Sequence, residues 1–172
     1  MRLFFALWPD NSTQQQWAFT TEPFVQRLVG KASPTQNLHL TLQFLGDVEG
    51  TRIRRLHEIA QRAVDRPIDF RFDRIECWRD AQLACLRPDH EPSSLVQLVN
   101  QLQHGLAMEG FKVERKKFKA HITLARHLQH YEAALPLWPA LTWRASTLAL
   151  VRSRLSAQGS LYAPVGLWPL AD

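Results

Sequence analysis

Hydrophobic positions along this chain change period several times, and the changes mark out its elements. The apolar run RLFFALW, Arg2 to Trp8, predicts an opening strand. Asp10, Asn11 and Ser12 then offer N-caps for a helix reaching towards Val29 and closed by Gly30, with Pro23 a site for a kink. The polar loop GKASPTQN feeds a strand from His39 to Phe44, ended by Gly46-Asp47. A second helix follows from about Thr51, because Ile53, Leu56, Ala60 and Ala63 recur at helical spacing. Ile68, Phe70 and Phe72 next alternate with Asp69, Arg71 and Asp73, a strand that turns at Arg79-Asp80 into a second, QLACLRP. A third helix starts at Pro92-Ser93-Ser94, carries the stripe Leu95, Leu98, Val99, Leu102 and Leu106, and is closed by Gly110. FKVERKKFK leads into a strand around His121, and two last strands are expected near Thr142–Arg152 and Leu161–Trp168.

Hairpins mixed with crossover helices predict an α+β fold. One word occurs twice: HLTL at His39–Leu42 and HITL at His121–Leu124, 82 residues apart, close to half the chain. Such a repeat of arrangement predicts two pseudo-symmetric lobes, each an antiparallel sheet with helices on its outer face, forming a central cleft within a single domain over residues 1–172.

Strand alternation turns His39 and Thr41 to one face and Leu38, Leu40 and Leu42 to the other; His121 and Thr123 likewise oppose Ile122 and Leu124. If the polar faces meet, two imidazoles and two hydroxyls surround one point. That set suits displacement at phosphorus: one neutral imidazole takes a proton from the nucleophile and a charged one gives a proton to the leaving oxygen. The hydroxyls donate to the non-bridging oxygens as charge builds there. A metal site is the competing reading, yet His39 and His121 supply two ligands where a catalytic zinc wants a third. His57, His90, His104, His127 and His130 form no HExxH-like spacing, so neither metal nor cofactor is expected.

Composition narrows the class without deciding it. With 45% hydrophobic and 22% charged residues the chain reads as globular, and a net charge of +5 leans towards an anionic partner. Cys77 and Cys85 flank the hairpin; a disulfide between them is geometrically possible but not required. No run of eighteen apolar residues predicts a membrane span, and Trp8-Pro9-Asp10 cuts the N-terminal run short with no cleavage site. A soluble cytoplasmic monomer with reduced thiols is expected.

The opening RLFFALWP, the motifs HLTLQFLG and HITLAR, and their separation together resemble the LigT-like branch of the two-histidine (2H) phosphoesterases, over the whole chain. These are RNA 2′,3′-cyclic phosphodiesterases, also called 2′-5′ RNA ligases. The resemblance implies that His39 is the proton donor to the leaving ribose oxygen and His121 the proton acceptor. It implies that Thr41 and Thr123 hold phosphate oxygens, and that the enzyme needs neither metal nor ATP; the GxxxxGK[ST] phosphate loop is absent. With water as nucleophile the product is a 2′-phosphate, and with an RNA 5′-hydroxyl it is a 2′-5′ linkage.

Arg126 offers a further charge to the phosphate, although strand parity sets it out of phase with His121 and Thr123, and Phe44 stands at its place in the first motif. Lys112, Arg115, Lys116, Lys117 and Lys119 precede His121 and, with Arg152 and Arg154, are candidate contacts to RNA phosphates. Phe44, Trp78 and Phe118 are candidates for stacking on a base. The expected partners are RNA ends carrying a 2′,3′-cyclic phosphate, tRNA halves among them, or nucleotides. A non-catalytic RNA- or nucleotide-binding module is the alternative.

Overall fold

Alternating strands and amphipathic helices assemble around two central strands that carry the repeated word. A computed structural model of the chain describes residues 1–113, 117–131, 134–156 and 159–171. Its elements are β1 (Arg2–Leu7), α1 (Asn11–Val25), β2 (Lys31–Ala32), β3 (Leu40–Asp47), α2 (Ile53–Ala63), β4 (Ile68–Trp78), β5 (Leu83–Pro88), α3 (Ser93–Met108), β6 (Ile122–Arg126), β7 (Leu135–Ala145), β8 (Thr147–Ser156) and β9 (Gly159–Pro169). The strands form one nine-stranded sheet in the order β7-β4-β5-β6-β3-β1-β8-β9, with β2 paired to β6. Every pairing is antiparallel.

The α+β class and the two-lobe arrangement follow from where that sheet is thinnest. β3 and β6 share one paired position, Leu40 with Ile122. On one side lie β6, β5, β4 and β7; on the other, β3, β1, β8 and β9. The two motif strands are thus the innermost strand of each half.

Assignment of the lobes along the chain differs from an N-terminal and a C-terminal half. The C-terminal hairpin β8–β9 completes the lobe begun by β1 and β3, and the middle of the chain makes the other. The single strand expected over Thr142–Arg152 is accordingly two strands. β7 stops at Ala145 and pairs with β4, whereas β8 begins at Thr147 and pairs with β1. Ser146 lies at the crossing, its carbonyl accepting from Leu170 N–H. Choice of partners distant in sequence, β4 for one half and β1 for the other, breaks the strand there, and the local sequence carries no sign of it.

Helix limits follow local chemistry. Asp10 caps α1 by accepting from Thr13 N–H at 2.7 Å. The helix carries Pro23 in its last turn and ends at Val25, short of the expected Val29, where the Arg27 and Leu28 N–H groups turn to the tighter bonds with the Phe24 and Val25 carbonyls. Gly110, at φ +70°, takes the left-handed conformation that closes α3, and Phe111 N–H reaches back to Leu106.

The main core lies between the sheet and the helices. Trp17 is fully buried at its centre, edge-on to Trp143 and Phe72 at 5.0 and 6.0 Å. The α3 stripe, Leu95 to Leu106, is buried as its spacing requires. Each such side chain contributes about 1.5–3 kcal/mol on burial. A second, smaller cluster occupies the opposite face of β1 and β8: Phe4, Ala6, Ala149 and Val151, with Trp8 and Tyr162 against it. β1 is therefore apolar on both faces, and the smaller cluster forms one wall of the cleft. Cys77 and Cys85 lie on neighbouring strands as free thiols, and burial pushes the Cys85 thiol up to about 12.

Candidate active site

His39 and His121 reach the cleft by the same local device. Each stands just before its strand, and each ring nitrogen Nδ1 meets the carbonyl oxygen two residues back: Asn37 at 2.6 Å for His39, Lys119 at 2.8 Å for His121. A carbonyl only accepts, so Nδ1 carries the hydrogen in both neutral rings and Nε2 holds the lone pair. The sequence repeat is thereby a repeat of tautomer as well as of position. At His39, Nε2 lies 2.9 Å from the Thr41 hydroxyl, which donates to it. At the second motif the Thr123 hydroxyl instead accepts from the Arg126 guanidinium at 3.4 Å.

Both imidazoles are held uncharged in the free protein. Burial pushes His39 down from 6.5 to about 4; its bond to the Asn37 carbonyl opposes this, and the positive fields of Arg126 and His121 add to it. His121 is also lowered, first by burial, against the bond to Lys119, with Arg87 and Arg126 contributing in the same direction as burial.

Aromatic rings build the walls. His39 is stacked between Phe4 and Trp8, at 5.0 and 5.4 Å, with Tyr162 edge-on at 5.2 Å. Trp78 lies against His121 at 4.7 Å, and the Arg87 and Lys119 cations lie over the same indole. Behind His121, Arg87 donates to the Ala120 carbonyl while the Glu91 carboxylate accepts from Ala120 N–H at 3.0 Å. Arg87, only 13% exposed, has its Nε 3.6 Å from the Glu76 carboxylate. Ala120, the residue preceding the second histidine, is thus held at both its N–H and its carbonyl.

Two β-bulges answer the parity objection to Arg126. Opposite β5, the register steps from Ala125–Ala84 to Thr123–Cys85, which leaves Leu124 with no residue across from it. Opposite β1, the register steps from Gln43–Phe5 to Thr41–Ala6, which leaves Leu42 likewise unmatched. An extra residue reverses the alternation beyond it, so Leu42 and Gln43 are both buried, as are Leu124 and Ala125. Residues three apart then return to one face: Phe44 follows Thr41, and Arg126 follows Thr123. Both line a small cavity of about 200 Å³ together with Phe4 and Tyr162.

Of the residues expected from sequence, His39, Thr41, Phe44, Lys117, Phe118, Lys119, His121, Thr123 and Arg126 all line the cleft and its side cavities. Lys116 and Arg115 lie outside the described residues. Among the described residues no group of three His, Cys, Asp or Glu side chains gathers as metal ligands. Among the described residues no helix is long and apolar enough to cross a membrane.

Sequence reasoning passed over Phe4, Trp8, Tyr162, Arg87, Glu91 and Asn37. For Phe4 a signal was present: strand parity sets it with Ala6 and Trp8, opposite Leu3, Phe5 and Leu7. Arg87 and Glu91 act through long-range contacts and had none.

Comparison with known proteins bears on the family and the fold. The family model described as the 2′-5′ RNA ligase superfamily matches residues 10–156. The chain is 28% identical over 176 residues to the RNA 2′,3′-cyclic phosphodiesterase of Escherichia coli (strain K12), covering 99% of this chain and 97% of that protein. It is 30% identical over 132 residues to the RNA 2′,3′-cyclic phosphodiesterase of Archaeoglobus fulgidus, covering 73% and 72%. The crystal structure of E. coli LigT complexed with 3′-AMP superposes with a TM-score of 0.91 at 26% identity, covering 99% of this chain and 98% of that one.

Proposed function

The chain belongs to the 2′-5′ RNA ligase superfamily, and from that premise we propose that it is a metal-independent phosphodiesterase that opens terminal RNA 2′,3′-cyclic phosphates to 2′-phosphates. The observation that carries the reading is the matched presentation of two imidazoles. Each is fixed by an Nδ1–H bond to the carbonyl two residues back, on adjoining central strands.

In the reaction, His121 Nε2 takes the proton of the attacking water. The oxygen bonds to phosphorus in line with the departing 3′ oxygen, and His39 Nε2 delivers a proton to that oxygen. The assignment of donor and acceptor is the one the family resemblance implies. His39 is neutral in the free protein, so it takes up a proton from solvent as the substrate binds. An anionic phosphate beside the ring favours the imidazolium and offsets the burial that disfavours it. Once Nε2 is protonated it no longer accepts from Thr41, whose hydroxyl is released to donate to a phosphate oxygen. Thr123 and Arg126 serve the phosphate from the other motif, charge-assisted on the Arg126 side. Phe44, exposed beside the cleft, offers a stacking face to the terminal base from the small cavity it shares with Arg126, and Lys117 and Lys119 offer charge to RNA phosphates on the His121 side.

With an RNA 5′-hydroxyl in place of water, the same two proton transfers yield a 2′-5′ linkage. Ring opening drives the step, so no ATP is required. In reverse the two histidines exchange roles. Product analysis tests the reading. An oligonucleotide ending in a 2′,3′-cyclic phosphate, incubated in EDTA with and without a 5′-hydroxyl acceptor, is expected to give a 2′-phosphate alone and additionally a 2′-5′ joined product with acceptor. A 3′-phosphate product, or no turnover without added metal, would refute it. The alternative, a binding module without chemistry, would show salt-sensitive RNA binding and no turnover on any cyclic phosphate.

A further inference from the structure

The two histidines open onto different cavities. His121 lines a cavity of about 650 Å³ that runs over Trp78, Arg79, Lys117, Phe118 and Lys119. His39 does not line it. His39 lines a separate cavity of about 190 Å³ with Thr123, Arg126, Lys31 and Tyr162, which His121 does not line. In-line displacement requires the incoming and departing oxygens to lie on opposite sides of phosphorus. If His121 serves the incoming oxygen, the incoming group enters from the larger cavity.

Water has no use for such a space. Its share of liquid volume is about 30 Å³, roughly a twentieth of this cavity. The volume falls instead in the range of about 300–1,000 Å³ typical of sites for nucleotide-sized ligands. Its lining joins cations (Arg79, Lys117, Lys119) to aromatic faces (Trp78, Phe118), the combination that holds single-stranded nucleic acid by its backbone and bases.

We infer that the larger cavity is the acceptor subsite: it binds single-stranded RNA bearing a free 5′-hydroxyl and delivers that hydroxyl to His121. The assignment rests on the proposed roles of the two histidines. In the step it serves, the acceptor 5′ oxygen bonds to phosphorus as its proton passes to His121 Nε2. The bond from phosphorus to the 3′ oxygen breaks, and His39 protonates that oxygen. The product carries a 2′-5′ diester and a free 3′-hydroxyl. Water uses the same approach when the cavity holds no strand.

The test uses Arg79→Glu, at the exposed turn of the β4–β5 hairpin, and Lys31→Glu in the smaller cavity. A 3′-labelled oligoribonucleotide with a free 5′-hydroxyl is titrated by fluorescence anisotropy, with a nucleoside 2′-phosphate present to fill the donor side. Arg79→Glu is expected to weaken binding about ten-fold and to flatten the dependence of log Kd on log salt by about 0.7, the loss of one phosphate contact to a single strand. Lys31→Glu is expected to leave both within two-fold. Unchanged oligonucleotide binding in Arg79→Glu, or weakening in Lys31→Glu alone, would overturn the subsite. A wild-type protein that binds the strand through Arg79 yet hydrolyses no cyclic phosphate would instead refute the proposed activity and leave the subsite standing.

Discussion

Replacing His39 with Asn exposes the electrostatic state of the site through folding stability. In the folded protein burial holds His39 at about 4, whereas the unfolded chain returns it to its ordinary 6.5. Above that ordinary value neither state binds a proton at this ring, and it contributes nothing to the pH dependence. As pH falls below it, the unfolded chain takes up the proton first, so stability is lost until the folded ring titrates as well. From these two values the loss is about 2 kcal/mol at about pH 5 and about 3 kcal/mol near pH 4. His39→Asn also removes the stacking on Phe4 and Trp8, a cost independent of pH that cancels in a double difference. The assay is urea unfolding of wild type and variant at about pH 8 and about pH 5. The wild type should lose about 2 kcal/mol more than the variant between the two conditions. An equal loss in both proteins, or a variant that loses more, would refute the claim that the ring is buried uncharged.

Other consequences are open to direct measurement. Arg87→Met removes one partner of a partly buried ionic cluster with Glu76 and Glu91 and the donor to the Ala120 carbonyl, and should cost about 1–3 kcal/mol by denaturant unfolding. It also removes a cation that depresses His121, so the His121 pKa, followed by NMR, should rise; an unchanged value would sever the link. Thr123→Val should lower kcat on a cyclic phosphate by about 10²–10³ with modest change in KM, and a rise in KM alone would make it a ground-state contact. Cys85, buried and pushed up to about 12, should resist thiol reagents in the native protein, and its modification at the rate of an unfolded thiol would contradict the placement.

The repeated word was legible because it is local. His, Thr and alternating apolar residues fix a strand, its faces and a pair of imidazoles without knowledge of any partner. The α3 stripe and the β4–β5 hairpin were legible for the same reason. The facing of Phe44 and Arg126 was not, since simple alternation sets Arg126 away from the cleft. The bulges that return both to it are properties of register against β1 and β5, distant in sequence. The same holds for the break at Ser146, where one apparent strand becomes two because its halves choose different neighbours. Arg87 and Glu91 read as ordinary surface charge until the fold brings them to either side of the Ala120 peptide. Long-range pairing thus decides which side chains accompany the histidines, and the local pattern decides the histidines themselves.

The central claim is that two imidazoles, acting as a unit, open the cyclic phosphate. The rate of hydrolysis of a nucleoside 2′,3′-cyclic phosphate in EDTA by wild type, His39→Ala, His121→Ala and the double variant tests it most directly. Groups that act as a unit are strongly non-additive. Each single variant should therefore fall by about 10³ or more and the double little further, with all four proteins folded by circular dichroism. Losses that add across the two sites, or a double variant that still turns over near the wild-type rate, would contradict the account.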